Sequence, residues 1–263
     1  MSSPGPGGLP GPVWTGFYAG VNGGYGWSGT DSTVYAEAIY GLNLANPTVA
    51  TSAVKGFEKA GGFGGGQIGY NIQRGQFVYG VEADIQGSCI GGSASASATA
   101  NDIASGTTVS SNTSRNSGLD WFGTVRGRLG YAVDNALIYG TGGFAYGGVS
   151  GKASTTLSWL SPGFLPGTRP FTADTGATKT GYAVGAGVEY ALTPQWSVKA
   201  EYQYIGFGSS DGFLGAHVFL GNPVNPFNPA EVRARGYFNI EQNFNTVRVG
   251  LNYKLQDLVA PLN

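Results

Sequence analysis

Few residues in this chain are suited to chemistry. His217 is the one histidine and Cys89 the one cysteine, so an intramolecular disulfide and a cysteine metal cluster are both excluded. A histidine-dependent hydrolase would need His217 held rigidly beside a hydroxyl or a carboxylate. It falls instead in a long polar stretch and reads as a solvated loop histidine, with a role as haem ligand as the alternative. Cys89 reads as an idle thiol at a strand end. Glu82 and Asp84 are spaced like an acid–base pair, but two arginines facing them favour a structural role. Gly64 to Gly69 fit G-x-G-x-x-G, yet a dinucleotide site would need a helix to open there, and the run from Asn71 to Gly75 leaves no room for one. Asn112-Thr113-Ser114 has the form of a glycosylation sequon, and Asn-Pro occurs three times over residues 222–229, where it stiffens a loop. No enzymatic activity and no cofactor follow from these residues.

The remaining charges form a pattern. Glu82, Asp84, Glu189 and Glu201 are matched by Arg126, Arg128, Lys199 and Arg248, all on the glycine-rich side of alternating segments. In GVEADI, for example, Val81, Ala83 and Ile85 oppose Glu82, Asp84 and Gln86. The composition agrees with strands: 47 glycines in 263 residues, 13% aromatic, 11% charged, and a mean hydropathy of −0.06. No stretch approaches the roughly 18 apolar residues of a membrane-spanning helix. A net charge of −1 leaves no basic footprint for nucleic acid.

Eight alternating segments can be counted, from TGFYAGVNGGYGW through GGGQIGYNI, FVYGVEADI, LDWFGTVRGRLGY, ALIYGTGGFAYGGV, TGYAVGAGVEYAL and WSVKAEYQY to NTVRVGLNYKL. The fifth is apolar at both parities and its facing stays open; in the fourth, Leu119 and Trp121 share the apolar parity. Three connections are tight, near residues 73–76, 132–135 and 192–195; four are long and polar, near 28–60, 88–117, 150–178 and 209–243. Such alternation predicts an all-β, eight-stranded antiparallel transmembrane β-barrel with three short periplasmic turns and four long extracellular loops. The expected organisation is a Pro/Gly-rich segment over residues 1–12, the barrel over 13–255 and an extension over 256–263. The opening SSPGPGGLPGP lacks the features of a secretory signal and reads as a processed or recombinant start.

In a membrane barrel the apolar face points outward. The aromatics on that face gather at the strand ends: Tyr70, Phe77, Tyr131, Tyr190, Trp196 and Tyr253 toward the short turns, Tyr25, Trp27, Trp121, Tyr182 and Tyr204 toward the long loops. Two interfacial girdles are expected from this. The eight charges then point inward and can pair, closing a lumen that eight strands leave only wide enough for side chains.

TGFYAGVNGGYGW, GVEADI, VRGRLGYAVDNALIYGTGGFAYG, GYAVGAGVEYALTPQWSVKAEY and NTVRVGLNYKL together resemble the porin-like outer-membrane β-barrel proteins of alphaproteobacteria, the 25 and 31 kilodalton surface antigens of brucellae and their rhizobial relatives. The resemblance covers nearly every strand in order and none of the long loops. It implies integral outer-membrane location, surface-exposed loops and a signal peptide before a Pro-rich segment, which the opening SSPGPGGLPGP is similar to. It also implies a role in envelope integrity and surface interaction, with a small porin or channel and loop-mediated haem or ligand binding as alternatives. The partners implied are outer-membrane lipid and lipopolysaccharide, the barrel-assembly machinery during insertion, and other envelope components met through the loops. That machinery reads a terminal aromatic residue on the last strand of the family; here Leu255 is followed by QDLVAPLN, a departure from the pattern.

Overall fold

A computed structural model describes residues 14–28, 33–41, 48–56, 58–162, 165–174, 176–220 and 230–255. Among them are eleven strands: β1 (Gly16–Ser28), β2 (Thr33–Gly41), β3 (Thr48–Lys55), β4 (Ala60–Arg74), β5 (Phe77–Asp102), β6 (Thr107–Val133), β7 (Ala136–Leu160), β8 (Gly167–Asp174), β9 (Ala177–Ala191), β10 (Trp196–Leu220) and β11 (Ala230–Leu255). Eight of these close a ring in the order β1-β4-β5-β6-β7-β9-β10-β11. β11 pairs back onto β1 from Phe17↔Leu255 to Ser28↔Phe244, and every pairing is antiparallel. Closure leaves no free edge within the ring.

The short turns lie at one end. Gly75-Gln76 joins β4 to β5 with Gly75 at φ +62°, and Asp134-Asn135 joins β6 to β7 with Asp134 at φ +49°. Positive φ is what two-residue hairpin loops demand, and glycine and aspartate supply it at low cost. The β9–β10 turn is tied by Thr193, whose hydroxyl accepts the amides of Gln195 (3.2 Å) and Trp196 (3.0 Å).

At the other end the four long connections are largely strand, where irregular loops were expected. β5 and β6 run on together to a hairpin tip at which Asp102 accepts the amide of Ala104 at 3.0 Å. β8 flanks the upper part of β7, and β10 and β11 continue upward as a pair. β2 pairs with the upper part of β11, and β3 lies against the inner side of β5 and β6, where Ser52 shares its hydroxyl with Ser111 (2.9 Å) and Thr113 (2.7 Å). Alternation there is between alanine and serine, as in Ala94, Ala96 and Ala98 turned inward against Ser93, Ser95 and Ser97. Both classes are small, so the period of two carries little contrast in hydrophobicity. His217 accordingly lies within β10 opposite Arg233 rather than in a loop. The three Asn-Pro pairs, the 256–263 extension and the whole Pro/Gly-rich segment over 1–12 lie outside the described residues.

Three register shifts sit at one level, where ring gives way to ribbon. β5 gains a residue on β6 between Gly87 and Ile90, β6 gains one on β7 between Leu119 and Trp121, and β10 gains one on β11 between Gly206 and Ser209. The second is a correction to the expected facing. The extra residue on β6 turns Leu119 fully inward while Trp121, two positions on, stays outward. A bulge shifts side-chain parity, which strict alternation cannot reveal. Cys89 sits exposed in the β5 bulge, within a strand and not at its end.

Candidate functional site in the barrel lumen

The outside of the ring is apolar. Val21, Ile68, Val81, Val125, Leu129 and Val249 are all more than half exposed, a surface that water would not tolerate and lipid would. All eleven expected girdle residues lie on this face. At the turn end Phe77 meets Tyr131 at 5.5 Å and Trp196 meets Tyr253 at 4.9 Å; at the ribbon end Tyr182 meets Tyr204 at 6.0 Å. Phe17 and Tyr146 join them, against Tyr70 (4.6 Å) and Trp121 (6.1 Å). Phe17 and Trp27 stand at opposite ends of β1. Ten residues at about 3.3 Å each, tilted by about 40°, separate the two girdles by about 25 Å, the height of an apolar membrane band.

Inside, the side chains form layers. The floor at the turn end is apolar: Trp14, Val78, Ala132, Leu137, Ala191 and the ring of Tyr139. Above it come the eight expected charges, all buried. Arg126, on β6, bridges three acids: Glu82 at 2.6 Å, Asp84 at 3.1 Å and Glu201 at 2.6 Å. Arg248, on β11, reaches Glu201 at 2.6 Å and Asp84 at 3.1 Å, and Lys199 reaches Glu82 at 2.8 Å. In the ring β5 and β10 are four strands apart, so the Lys199–Glu82 pair spans the lumen between opposite walls. Lys199 bonds there even though its register neighbour is Glu189. Glu189 instead pairs with Arg128 in a lower group that also includes Ser197 and Asn252.

Two tyrosines complete the network, and the sequence reading had not assigned them to it. Tyr18 donates to Glu82 at 2.8 Å and Tyr139 to Glu201 at 2.9 Å, and the Arg128 guanidinium lies 3.7 Å over the Tyr139 ring. Tyr18 shares the parity of Gly20 and Asn22 and could have been found; Tyr139 sits in the segment whose facing was ambiguous. Glycine on the neighbouring strand makes room for each ring. A Cβ at Gly69 would fall 2.4 Å from Tyr18, and one at Gly187 would fall 2.7 Å from the Tyr139 hydroxyl.

Above the charges the lumen turns apolar again. Phe63, Ile90, Leu119, Phe122, Ile205 and Phe244 form a second layer, with Phe63 and Phe122 edge-to-face at 5.2 Å. The bulges build it, since they turn Leu119 and Phe122, three positions apart on β6, to the same side. Chemically the arrangement ties its carboxylates down. Each oxygen that could shuttle a proton or attack carbon is engaged by a guanidinium, ammonium or hydroxyl, except one oxygen of Asp84. Gly64 to Gly69 lie within β4, which continues as strand to Arg74.

Residues 13–254 match the family model described as the outer membrane protein beta-barrel domain. The 31 kDa outer-membrane immunogenic protein of Brucella melitensis biotype 1 is 35% identical over 257 residues, covering 92% of this chain and 83% of its own. A 22 kDa outer membrane protein of Rhizobium leguminosarum bv. viciae is 32% identical over 93% of this chain and 80% of its own. Among solved structures, the outer membrane protein OprG from Pseudomonas aeruginosa aligns over 92% of this chain and 98% of its own, with a TM-score of 0.38 and 11% identity.

Proposed function

The chain belongs to the outer-membrane protein β-barrel domain family and is an integral protein of the outer membrane, and from that premise we propose that it acts as a closed barrel, reinforcing the envelope and presenting its ribbons at the cell surface. The observation that carries this reading is the bridging of opposite walls. Arg126 and Arg248 tie Asp84 of β5 to Glu201 of β10, and Lys199 of β10 reaches across to Glu82 of β5, so that ion pairs cross the lumen with apolar layers on either side. An ion crossing would have to separate buried pairs, each break leaving a stranded charge worth about 3–5 kcal/mol. Surface display is supported by the ribbons and by the name of the Brucella relative, which calls that protein immunogenic. The partners this reading calls for are lipid along the apolar wall, lipopolysaccharide beside the ribbons and the assembly machinery during insertion.

A narrow channel is the competing reading, favoured by a polar layer at the centre of the lumen. Planar-bilayer recording of the refolded barrel at neutral pH decides between them. Silence is expected. Reproducible conductance steps that change ion selectivity when Arg126 and Arg128 become alanine would replace the closed barrel with a channel.

A further inference from the structure

The charged layer is flanked by polar atoms that no protein group satisfies. Just above it stand Gln86 and Gln203, 1% and 0% exposed, and all four of their amide atoms lack a hydrogen-bond partner. Both follow from the strands that carry the charges. β5 rises through Glu82, Asp84 and Gln86, and β10 rises through Lys199, Glu201 and Gln203, so the two glutamines occupy the next inward step on opposite walls. One oxygen of Asp84 and Nε of Arg248 are unpartnered at the same level. Below the charges, Asn71 Oδ1 and the indole N–H of Trp14 are likewise buried and unpartnered, beside a cavity of about 30 Å³ lined by Tyr18, Asn71, Glu189, Ser197 and Asn252.

A buried amide left without a partner costs about 1–3 kcal/mol, and here several are set together with donors and acceptors mixed. Such a set needs a small occupant that both donates and accepts. The charges decide its class: Glu82, Asp84 and Glu201 are balanced by Arg126, Lys199 and Arg248, so the layer exerts no net pull on either a cation or an anion. A cavity needs roughly 10–15 Å³ to take one water, and the lower one is large enough. We infer that the lumen binds ordered water in two bands, one on each side of the ion cluster, with the apolar layer of Phe63, Phe122 and Phe244 closing the upper band from the cell surface. The barrel is thus wet inside while closed. This inference rests on the closed-lumen reading, but it can fail separately, because conduction and internal hydration are measured by different means.

The test is solution NMR on the full chain refolded in lipid nanodiscs, with glutamine and tryptophan side chains labelled with nitrogen-15. The side-chain amides of Gln86 and Gln203 and the indole N–H of Trp14 are expected to receive magnetisation directly from water. In the Gln86→Leu/Gln203→Leu variant the Trp14 signal should keep its water contact, since it belongs to the lower band. The single variant Gln86→Leu, which retains Gln203, serves if the double variant does not fold. Glutamine amides that contact only protein protons would overturn the inference by showing that the layer packs shut. Amide signals that shift saturably with sodium chloride would overturn it in favour of a bound ion.

Discussion

Replacing Arg126 by methionine removes one of the two side chains, with Arg248, that touch Glu82, Asp84 and Glu201 together. Three carboxylates then face one another with Arg248 and Lys199 as their remaining counterions, and the variant should lose about 3–5 kcal/mol. Urea unfolding of the refolded barrel, followed by heat-modifiable migration, measures this; a loss under about 1 kcal/mol would mean that the cluster readily rearranges around the gap. Lys59 tests electrostatics from the other side. It stands just above the ring at the start of β4, 1% exposed, where burial and the neighbouring Arg115 push its ammonium down to about 8. An unfolded lysine keeps its proton to about 10.4. Below pH 8 the folded state therefore bears the full cost of a charged Lys59, and this cost fades as the pH climbs from 8 toward 10.4. Stability should rise across that window, by up to about 3 kcal/mol from this group. In Lys59→Met that part of the rise should be absent; the same slope of stability against pH in the two proteins between pH 7 and 10 would refute the assignment.

At the scale of strands, the legible part of this fold is what alternation encodes. Glu82, Arg126, Lys199 and Arg248 announce an inner face because apolar and aromatic residues flank each of them, and the short turns announce themselves through Gly75 and Asp134. Ala94, Ser95 and Ala96 announce nothing, because strand and loop look alike when both faces carry small residues, so the ribbons stayed hidden. The bulges were hidden for a different reason. An inserted residue has no sequence signature of its own, and Leu119 and Trp121 share a parity that only the pairing with β7 reveals to be broken. Tyr139 escaped because Leu137, Ile138 and Tyr139 are apolar in succession. Deleting Asp120 tests the β6 bulge: it restores unbroken alignment with β7 and keeps Leu119 and Phe122 on the lumen side, but it leaves Ser88 and Cys89 of β5 facing no β6 residue between the pairs Gly87↔Trp121 and Ile90↔Leu119. The deletion variant is expected to refold to a smaller fraction of heat-modifiable barrel and to expose β6 to protease, whereas Asp120→Ser, which keeps the residue count, should behave like the parent. Equal refolding of the deletion variant would show that the extra β6 residue has no part in aligning β5 with β6 at the level of the apolar layer.

At the scale of the whole molecule, ring and ribbons are separable in their packing. The apolar layer of Phe122 and Phe244 belongs to the ring, while Ala50, Val109, Leu157 and Trp159 form their own cluster in the ribbons, and the ion cluster lies wholly below both. Shortening β5 and β6 by replacing residues 93–116 with a two-residue Asn-Gly turn therefore removes Val109 from the ribbon cluster, with Ala98 and Ala100 that pack against it, and leaves Ile90, Leu119 and the ion pairs of the lumen cluster in place. The ring should still fold, because its closure runs from β1 to β11 below the cut. It should also remain silent in planar bilayers, since the barrier to ions is the cluster and the layer above it rather than the ribbons. What it should lose is the partner of β3, whose Ser52 hydroxyl bonds to Ser111 and Thr113, and with it the protection of β2 and β3 against protease. A shortened barrel that folds but conducts would move the seal from the lumen to the ribbons. That outcome would make the surface elements a gate as well as a display, and would reopen the channel reading at the level of the ribbons.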